Sequence, residues 1–465
     1  MKATRLRPLL LAVAGALMFV IPRTASAIPA FARKYGTSCT TCHTIYPKLN
    51  PFGEAFRRNG FRFPGADTDV VKQSTVSLGA DAYKKMFPDA IWPGTLPGSV
   101  PLSIGFNGQL VFHPDTGSGG GTADNGATVN ADALVEEGHL WAGGSFDDSI
   151  TYFSELTVSS SGIELERAMV SFNDLIGPAH AINLWVGKGS STLTSFGPHS
   201  TYLGDAALPS LATTALFGAT AASWTLTDNF QTAELNGVVG DGKLDYSAGV
   251  TNGANDALKT PTNAYLHLGA KFGGVRLDGE NNSSVPDPQK PWAETAVTVD
   301  AFYYHSNSAF SLPNPIAGDP DLPGSDVANV LGGAARAQSD SLELDAGLTY
   351  ELHSNPGSGG KVNVLSQFDE LSYVVFPWLV PAIRFEYTHL APDGGASVSD
   401  SRLAIGAAAL VRPNIKLVLT GQLETASGAP PAGWSAAGGL AAPADPAGSV
   451  SLEIESITLS MAYAY

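Results

Sequence analysis

Residues Cys39-Thr40-Thr41-Cys42-His43 carry the chemistry of this chain, and Cys39 and Cys42 are the only two cysteines in its 465 residues. Their spacing reads C-x-x-C-H. Two thiols three positions apart can add to the two vinyl groups of one porphyrin, and the histidine that follows then lies under the ring and ligates the iron. This is the attachment signature of a c-type haem, with Cys39 and Cys42 as covalent anchors and His43 as proximal ligand. A thioredoxin-like redox pair wants an α/β pattern around it, and the sequence has none. A zinc site wants a second ligand pair nearby, which is also missing. A plain disulfide accounts for the thiols but leaves His43 without a role.

The sixth iron ligand is not set by the motif. Met86, in Lys84-Lys85-Met86-Phe87-Pro88, is the nearest methionine in sequence, falls outside any strand pattern, and as a ligand would give a high potential. Alternatives are His113, His139, or an open or water-ligated site, and Met169 and Met461 are the other methionines of the mature chain. His267, His305, His353 and His389 are spread along strand patterns and read as lumen or surface residues.

The elements that position the motif begin with export. Residues 1–27 read as a secretory signal peptide: Lys2, Arg5 and Arg7, then an apolar run from Leu9 to Ile21, then the A-x-A site Ala25-Ser26-Ala27. Residues 28–65 form the haem module. Asn50-Pro51 is a helix start, with Asn as N-cap and Pro at the first helical position. Phe52, Ala55 and Phe56 share one face, and Gly60 ends the helix. So short a module buries little surface, so a haem and docking onto the remaining chain must supply part of its core. Residues 66–99, dense in Pro and Gly, read as a linker.

From 100 to 465 the pattern has period two. Leu342, Leu344, Ala346, Leu348 and Tyr350 alternate with Glu343, Asp345, Gly347 and Thr349, and the last stretch alternates Ile457, Leu459, Met461 and Tyr463 with Ser456, Thr458 and Ser460. Further strands are expected at 100–112, 149–158, 163–173, 181–188, 230–239, 243–251, 263–271, 295–304, 383–387 and 402–411. One face is apolar and the other carries acids, Arg, Thr and Gly. Strands of about ten residues cross a bilayer when tilted, and a chain that ends on an aromatic in a strand fits an outer-membrane barrel better than a secreted sandwich. The expected fold is therefore mainly β: a transmembrane antiparallel β-barrel of about 16 strands with a small helical N-terminal cytochrome module. Trp141, Trp185, Trp292 and Trp378 are expected in the interfacial girdles. Short turns such as Arg412-Pro413-Asn414 alternate with long loops at 113–130, 311–340 and 425–448.

The formal net charge is −17, which with export excludes a nucleic-acid partner. The balance is uneven, because residues 28–65 hold Arg33, Lys34, Lys48, Arg57, Arg58 and Arg62 against Glu54 alone. A basic module joined to an acidic body predicts that the two attract each other. An export signal, one haem motif and a barrel together point to electron movement, with a substrate channel plugged or gated by the haem module as the alternative.

Pro29-Ala30-Phe31-Ala32-Arg33-Lys34-Tyr35-Gly36, then Cys39-x-x-Cys42-His43, then Pro47-x-Leu49-x-Pro51-Phe52-Gly53 and Phe56, resembles the fused outer-membrane cytochrome–porins, the single-chain outer-membrane iron oxidases of iron-oxidising bacteria and their relatives. The resemblance covers residues 28–60 and is architectural beyond them. It implies a monohaem cytochrome in or under a porin barrel, one haem c, Fe(II) as extracellular electron donor, a periplasmic carrier as acceptor, and an outer-membrane location. The chain departs from the iron-oxidising members at Lys34-Tyr35, where they carry Gln-Thr, and at Glu54, where they favour a basic residue.

Overall fold

The computed structural model describes residues 30–64, 75–77, 85–88, 95–97, 102–113, 128–130, 137–146, 149–190, 201–203, 229–252, 263–280, 289–312, 322–354, 360–394, 397–427 and 453–464. The signal peptide, most of the 66–99 linker and the longest connections lie outside them.

The N-terminal module is two short helices around the motif. The first, Ala30–Tyr35, leads into a 3-10 turn at Cys39–Thr41 and a pair of short strands, β1 (His43–Ile45) and β2 (Lys48–Leu49). The second helix, Pro51–Arg58, starts where the sequence predicts: the Asn50 side chain accepts the backbone N–H of Gly53 at 2.9 Å, and Pro51 occupies the first position. Gly60, at φ +68°, ends it. Between helices and turn lies an aromatic cluster in which Phe31 stacks on Phe61 and Tyr35, Phe52 and Phe56 pack on Phe63.

Two three-residue strands, β3 (Thr75–Ser77) and β4 (Thr95–Pro97), pair with each other within the linker. The rest of the chain is a closed antiparallel barrel of 16 strands. It begins with β5 (Leu102–His113), which pairs with the last strand, β21 (Glu453–Ala464), on one side and β7 (Glu137–Ser145) on the other. A three-residue strand, β6 (Thr128–Asn130), pairs with the far end of β5. Next come β8 (Ile150–Ser159), β9 (Gly162–Phe172), β10 (Asn183–Ser190), β11 (Asn229–Val239), β12 (Leu244–Thr251) and β13 (Asn263–Gly273). The series continues with β14 (Glu294–Leu312), β15 (Leu322–Asp340), β16 (Leu342–His353), β17 (Val362–Tyr373), β18 (Leu379–Pro392), β19 (Val398–Arg412) and β20 (Ile415–Ser427). No helix among the described residues is long and apolar enough to cross a membrane. The outer surface instead exposes large apolar side chains around the circumference, among them Ile104, Leu268, Phe272, Leu331, Leu348 and Ile405, and the inner surface carries the acids and hydroxyls.

Two expectations are corrected. Residues 322–340, read as part of a long loop, form one of the two longest strands of the barrel. Gly332, Gly333, Ala334 and Ala335 dilute the alternation there, and Gly332 is bare because the Phe302 ring of β14 lies across it. Strands β7, β17 and β20 also escape the sequence reading. The girdle expectation holds for Trp378, which is exposed beside Phe376 at the β17–β18 turn. Trp185 and Trp292 are buried inside, the latter donating to Ser341 Oγ at 3.3 Å, and Trp141 faces the lumen.

The module sits inside the barrel, at the end where the chain enters and leaves it, and charge holds it there. Lys48, 1 % exposed, is bonded to Glu343 and lies 3.3 Å from Asp345, both on β16. Arg58 reaches Asp245 at 3.0 Å and Arg62 reaches Asp174 at 2.9 Å. In return, Arg336 of the wall lies 3.6 Å from Glu54 of the module. Breaking a buried pair from one side leaves an uncompensated charge and costs about 3 to 5 kcal/mol. Lys48→Met should fall at the low end of that range, because Arg336 also contacts Glu343 and Asp345. Single-channel conductance in planar bilayers should rise as the plug loosens; an unchanged conductance and melting temperature would mean that this pair does not hold it.

Candidate functional site

Cys39, Cys42 and His43 open onto one lumen cavity of about 600 Å³, whose floor is the module and whose walls are β5, β7, β8, β9, β10, β20 and β21. The size lies within the range of small-molecule and cofactor sites. From the module, Phe31, Tyr46 and Phe56 line it. From the barrel come Trp141, Phe153, Met169 and Trp185. Gly143 of β7 has no side chain because the Phe31 ring edge lies 2.7 Å from where its Cβ would be, which brings the first helix against the wall. Phe61 stacks on Phe153 across the same seam, with centroids 5.1 Å apart.

The motif itself is locally ordered. Asn50 Nδ2 donates to the carbonyls of Thr40 and Thr41, each at 3.0 Å, and Asn50 N donates to the Cys42 carbonyl at 2.9 Å. The side chain that caps the second helix therefore also pins the C-x-x-C turn. Both thiols are free. Burial pushes the Cys42 thiol up to about 12, and raises that of Cys39 against a backbone hydrogen bond that lowers it. Burial likewise lowers His43 to about 4, so its imidazole is neutral. His43 Nδ1 is 3.0 Å from the Pro47 carbonyl; with the proton there, Nε2 keeps its lone pair. A ligating histidine commonly hands its other N–H to a backbone carbonyl in this way.

These residues fit a covalently held porphyrin. Two free thiols and a neutral imidazole share one cavity, which aromatic side chains wall. Trp185 Nε1 is buried on that wall without a hydrogen-bond partner, a donor that a porphyrin carboxylate can satisfy. Arg57 and Arg167 also line the cavity and offer cationic partners for such carboxylates.

Of the candidate sixth ligands, Met169 and His139 line this cavity. Met169 is packed over Gly189, where a Cβ would stand 1.8 Å from its sulfur. His139 is buried and stacks on Trp141 with centroids 5.2 Å apart. Met461 also borders the cavity, but its side chain is among those exposed on the outer face. Met86 is exposed and stands outside the cavity. Of His113 only the backbone, at the end of β5, is described.

Two features of the site went unread in the sequence. Thr201-Tyr202-Leu203, from the connection between β10 and β11, lies inside the lumen: Tyr202 N donates to Glu370 at 2.7 Å and its ring packs with Ile45 of the module. The second is the convergence of His139 with Glu155 and Glu166 on adjacent strands. Sequence separation hides both: a connection folded into the lumen brings in the first, and strand register brings together the second.

No protein-family model and no curated protein sequence matches this chain. Among solved structures it is similar to the outer-membrane expressed OmpT of Vibrio cholerae, at 11% identity, over 79% of this chain and 97% of that one, with a TM-score of 0.49. It is similar as well to an anion-selective porin from Comamonas acidovorans, at 12% identity over 79% and 99% of the two chains, with a TM-score of 0.48. OprB of Pseudomonas putida, at 8% identity, covers 78% of this chain and 94% of that one, at 0.46. The barrel assignment rests on the strand pairing described above.

Two outcomes are expected. Gly53→Ala places a Cβ 2.0 Å from the Cys42 carbonyl oxygen and 2.9 Å from Leu49. It should cost about 1 to 3 kcal/mol in overpacking, read as a lower melting temperature. Glu54 is buried, which works against its charge, but the guanidiniums of Arg58 and Arg336 hold it at about 2 against an ordinary 4.5. A carboxylate depressed on folding contributes stability above its unfolded value and loses it as pH falls through the folded one. Plug release, followed by conductance, should therefore increase between pH 4.5 and 2, and Glu54→Gln should flatten that dependence.

Proposed function

We propose that the protein is an outer-membrane electron-transfer barrel: a haem c module plugs its lumen, takes electrons from a donor outside, with Fe(II) as the expected donor, and passes them to a periplasmic carrier. One observation carries the reading, the opening of Cys39, Cys42 and His43 onto a single lumen cavity that barrel aromatics complete. The exposed apolar side chains around the strands supply a lipid-facing surface. A bound c-type haem supplies a one-electron couple, so each Fe(II) oxidised to Fe(III) outside delivers one electron to one carrier molecule.

The chain's own residues have three tasks. Cys39 and Cys42 anchor, His43 ligates, and Trp141, Phe153, Trp185 and Phe56 keep water from the ring. The apolar band of such a barrel is about 25 Å tall, and the module lies at the chain-terminal end of the lumen, so the donor must descend toward it. The inner wall favours a cation on that path: Glu234, Asp326, Glu351, Glu370 and Glu386 all face inward and are buried.

A second reading is a porin channel plugged or gated by the module. It is favoured by a closed 16-strand barrel whose plug is held by ion pairs and could leave.

Visible spectra of outer-membrane vesicles before and after external Fe(II) separate the two. The conduit predicts a covalent haem band, surviving denaturing electrophoresis and lost in the Cys39→Ser, Cys42→Ser double variant, that Fe(II) reduces. A haem reduced by dithionite but not by Fe(II) discards iron as donor. A conductance that follows haem redox state with negligible electron flux favours the gated porin, and the absence of any haem band removes the conduit.

A further inference from the structure

The geometry points to a binding site for a divalent first-row transition-metal ion on the lumen wall, formed by His139, Glu155 and Glu166 on the border of the cavity that the C-x-x-C-H motif opens onto. As a cation site it stands on its own residues; as the place where a metal donor waits, it rests on the reading above.

Three adjacent strands build it. His139 is on β7, Glu155 on β8 and Glu166 on β9, and one potential ligand atom from each lies within 4.8 Å of the other two. Atoms bound at 2.0 to 2.2 Å to one ion are roughly 3 to 4 Å apart, so small side-chain rotations close the set. Ordinary alternation cannot deliver Glu166 here, since Arg167 beside it already faces inward, toward Glu155. A register shift does so: Glu155 pairs with Arg167 and the next residue, Leu156, with Leu165, which leaves Glu166 as the extra residue of a bulge. Bulges re-aim a side chain in this way, often beside functional sites.

The surroundings suit a cation rather than a plain hydrogen-bond cluster. His139 Nδ1 lies 3.2 Å from Glu155 and 3.2 Å from the Thr157 hydroxyl, which in turn donates to Glu166. A metal ion at Nδ1 takes the position of the bridging proton between imidazole and carboxylates. The other ring nitrogen then carries the hydrogen, with the Glu137 carboxylate 3.5 Å away and the Asn107 amide 3.0 Å away, its oxygen turned to the ring, to receive it, the carboxylate–histidine–metal order found in many metal sites. Stacking on Trp141 and a 3.0 Å contact with Asn107 hold the ring in place. Three carboxylates against Arg167 leave the pocket short of positive charge. One imidazole with carboxylates suits Mn(II), Fe(II), Co(II) or Zn(II), and not a soft thiophilic ion.

The test uses the purified full-length holoprotein in detergent and Mn(II), titrated by calorimetry and by the loss of free-Mn(II) electron paramagnetic resonance signal. One Mn(II) per chain is expected, with at least tenfold weaker binding in His139→Ala, Glu155→Gln and Glu166→Gln, and unchanged binding in Asp340→Asn, an exposed acid at the end of β15. Folding is checked by the melting temperature, and a variant that melts early is replaced by Glu166→Asp, whose shorter arm should also weaken binding. No Mn(II) bound, or three variants that bind as the unaltered protein does, overturns the site. A haem spectrum that changes spin state in His139→Ala while Glu155→Gln and Glu166→Gln bind Mn(II) normally overturns it too, and assigns His139 to the haem. Because Mn(II) binding needs no electron transfer, the site and the conduit can fail independently: Mn(II) bound with no Fe(II) reduction sinks only the conduit.

Discussion

A cationic module inside an acidic tube is the constraint on which the rest depends. Lys48, Arg58 and Arg62 enter a space whose walls exclude much of the water, where an unpaired charge is costly. Each meets a carboxylate from a different part of the wall: Lys48 the β16 acids, Arg58 the start of β12, Arg62 the turn after β9. Such a distribution permits one seating depth and one rotation. The apolar seam follows from that seating, since Phe31 meets the bare Gly143 and Phe61 meets Phe153 only in this orientation.

That division of labour also accounts for how short the module is. Its own aromatic cluster covers one side of the cavity, and Trp141, Phe153 and Trp185 cover the other. A free module of this length would leave a face of any bound porphyrin in water. The barrel wall supplies the missing half of the core, and the module closes the barrel at its chain-terminal end. Each part therefore completes the other's burial.

The legibility of the sequence follows from how local each feature is. The C-x-x-C-H motif, the Asn50 cap, the Gly60 stop and the charge difference between module and body are all carried by neighbouring residues, and their types announce them. Barrel strands such as β16 and β18 are legible because both faces alternate cleanly. β15 is not, because Gly332 makes room for a ring from β14 and its small neighbours erase the alternation. Trp185 and Trp292 were legible as aromatics near strand ends, but whether they face lipid or lumen is a matter of parity, and a bulge or a turn resets parity. Met86 was the nearest methionine along the chain, while Met169, far away in sequence, is on the cavity wall because β9 runs past it.

The same bulge logic bears on the chemistry of the lumen. A regular barrel offers its interior one residue in two, and between β8 and β9 that alternation would give the lumen Arg167 and not its neighbour Glu166. The shift between β8 and β9 puts Glu166 and Arg167 both at the lumen edge, so a carboxylate and a guanidinium flank Glu155 together. The slip costs ladder hydrogen bonds, and an unbroken ladder would serve a mere wall as well. The slip lies on the stretch of wall that borders the cavity. A polar, acidic niche set beside an aromatic chamber juxtaposes two environments with opposite preferences, one for a cation in water and one for a flat apolar ring. On the proposed reading, an interface of that kind would let charge move between a metal ion and a haem without either leaving its site.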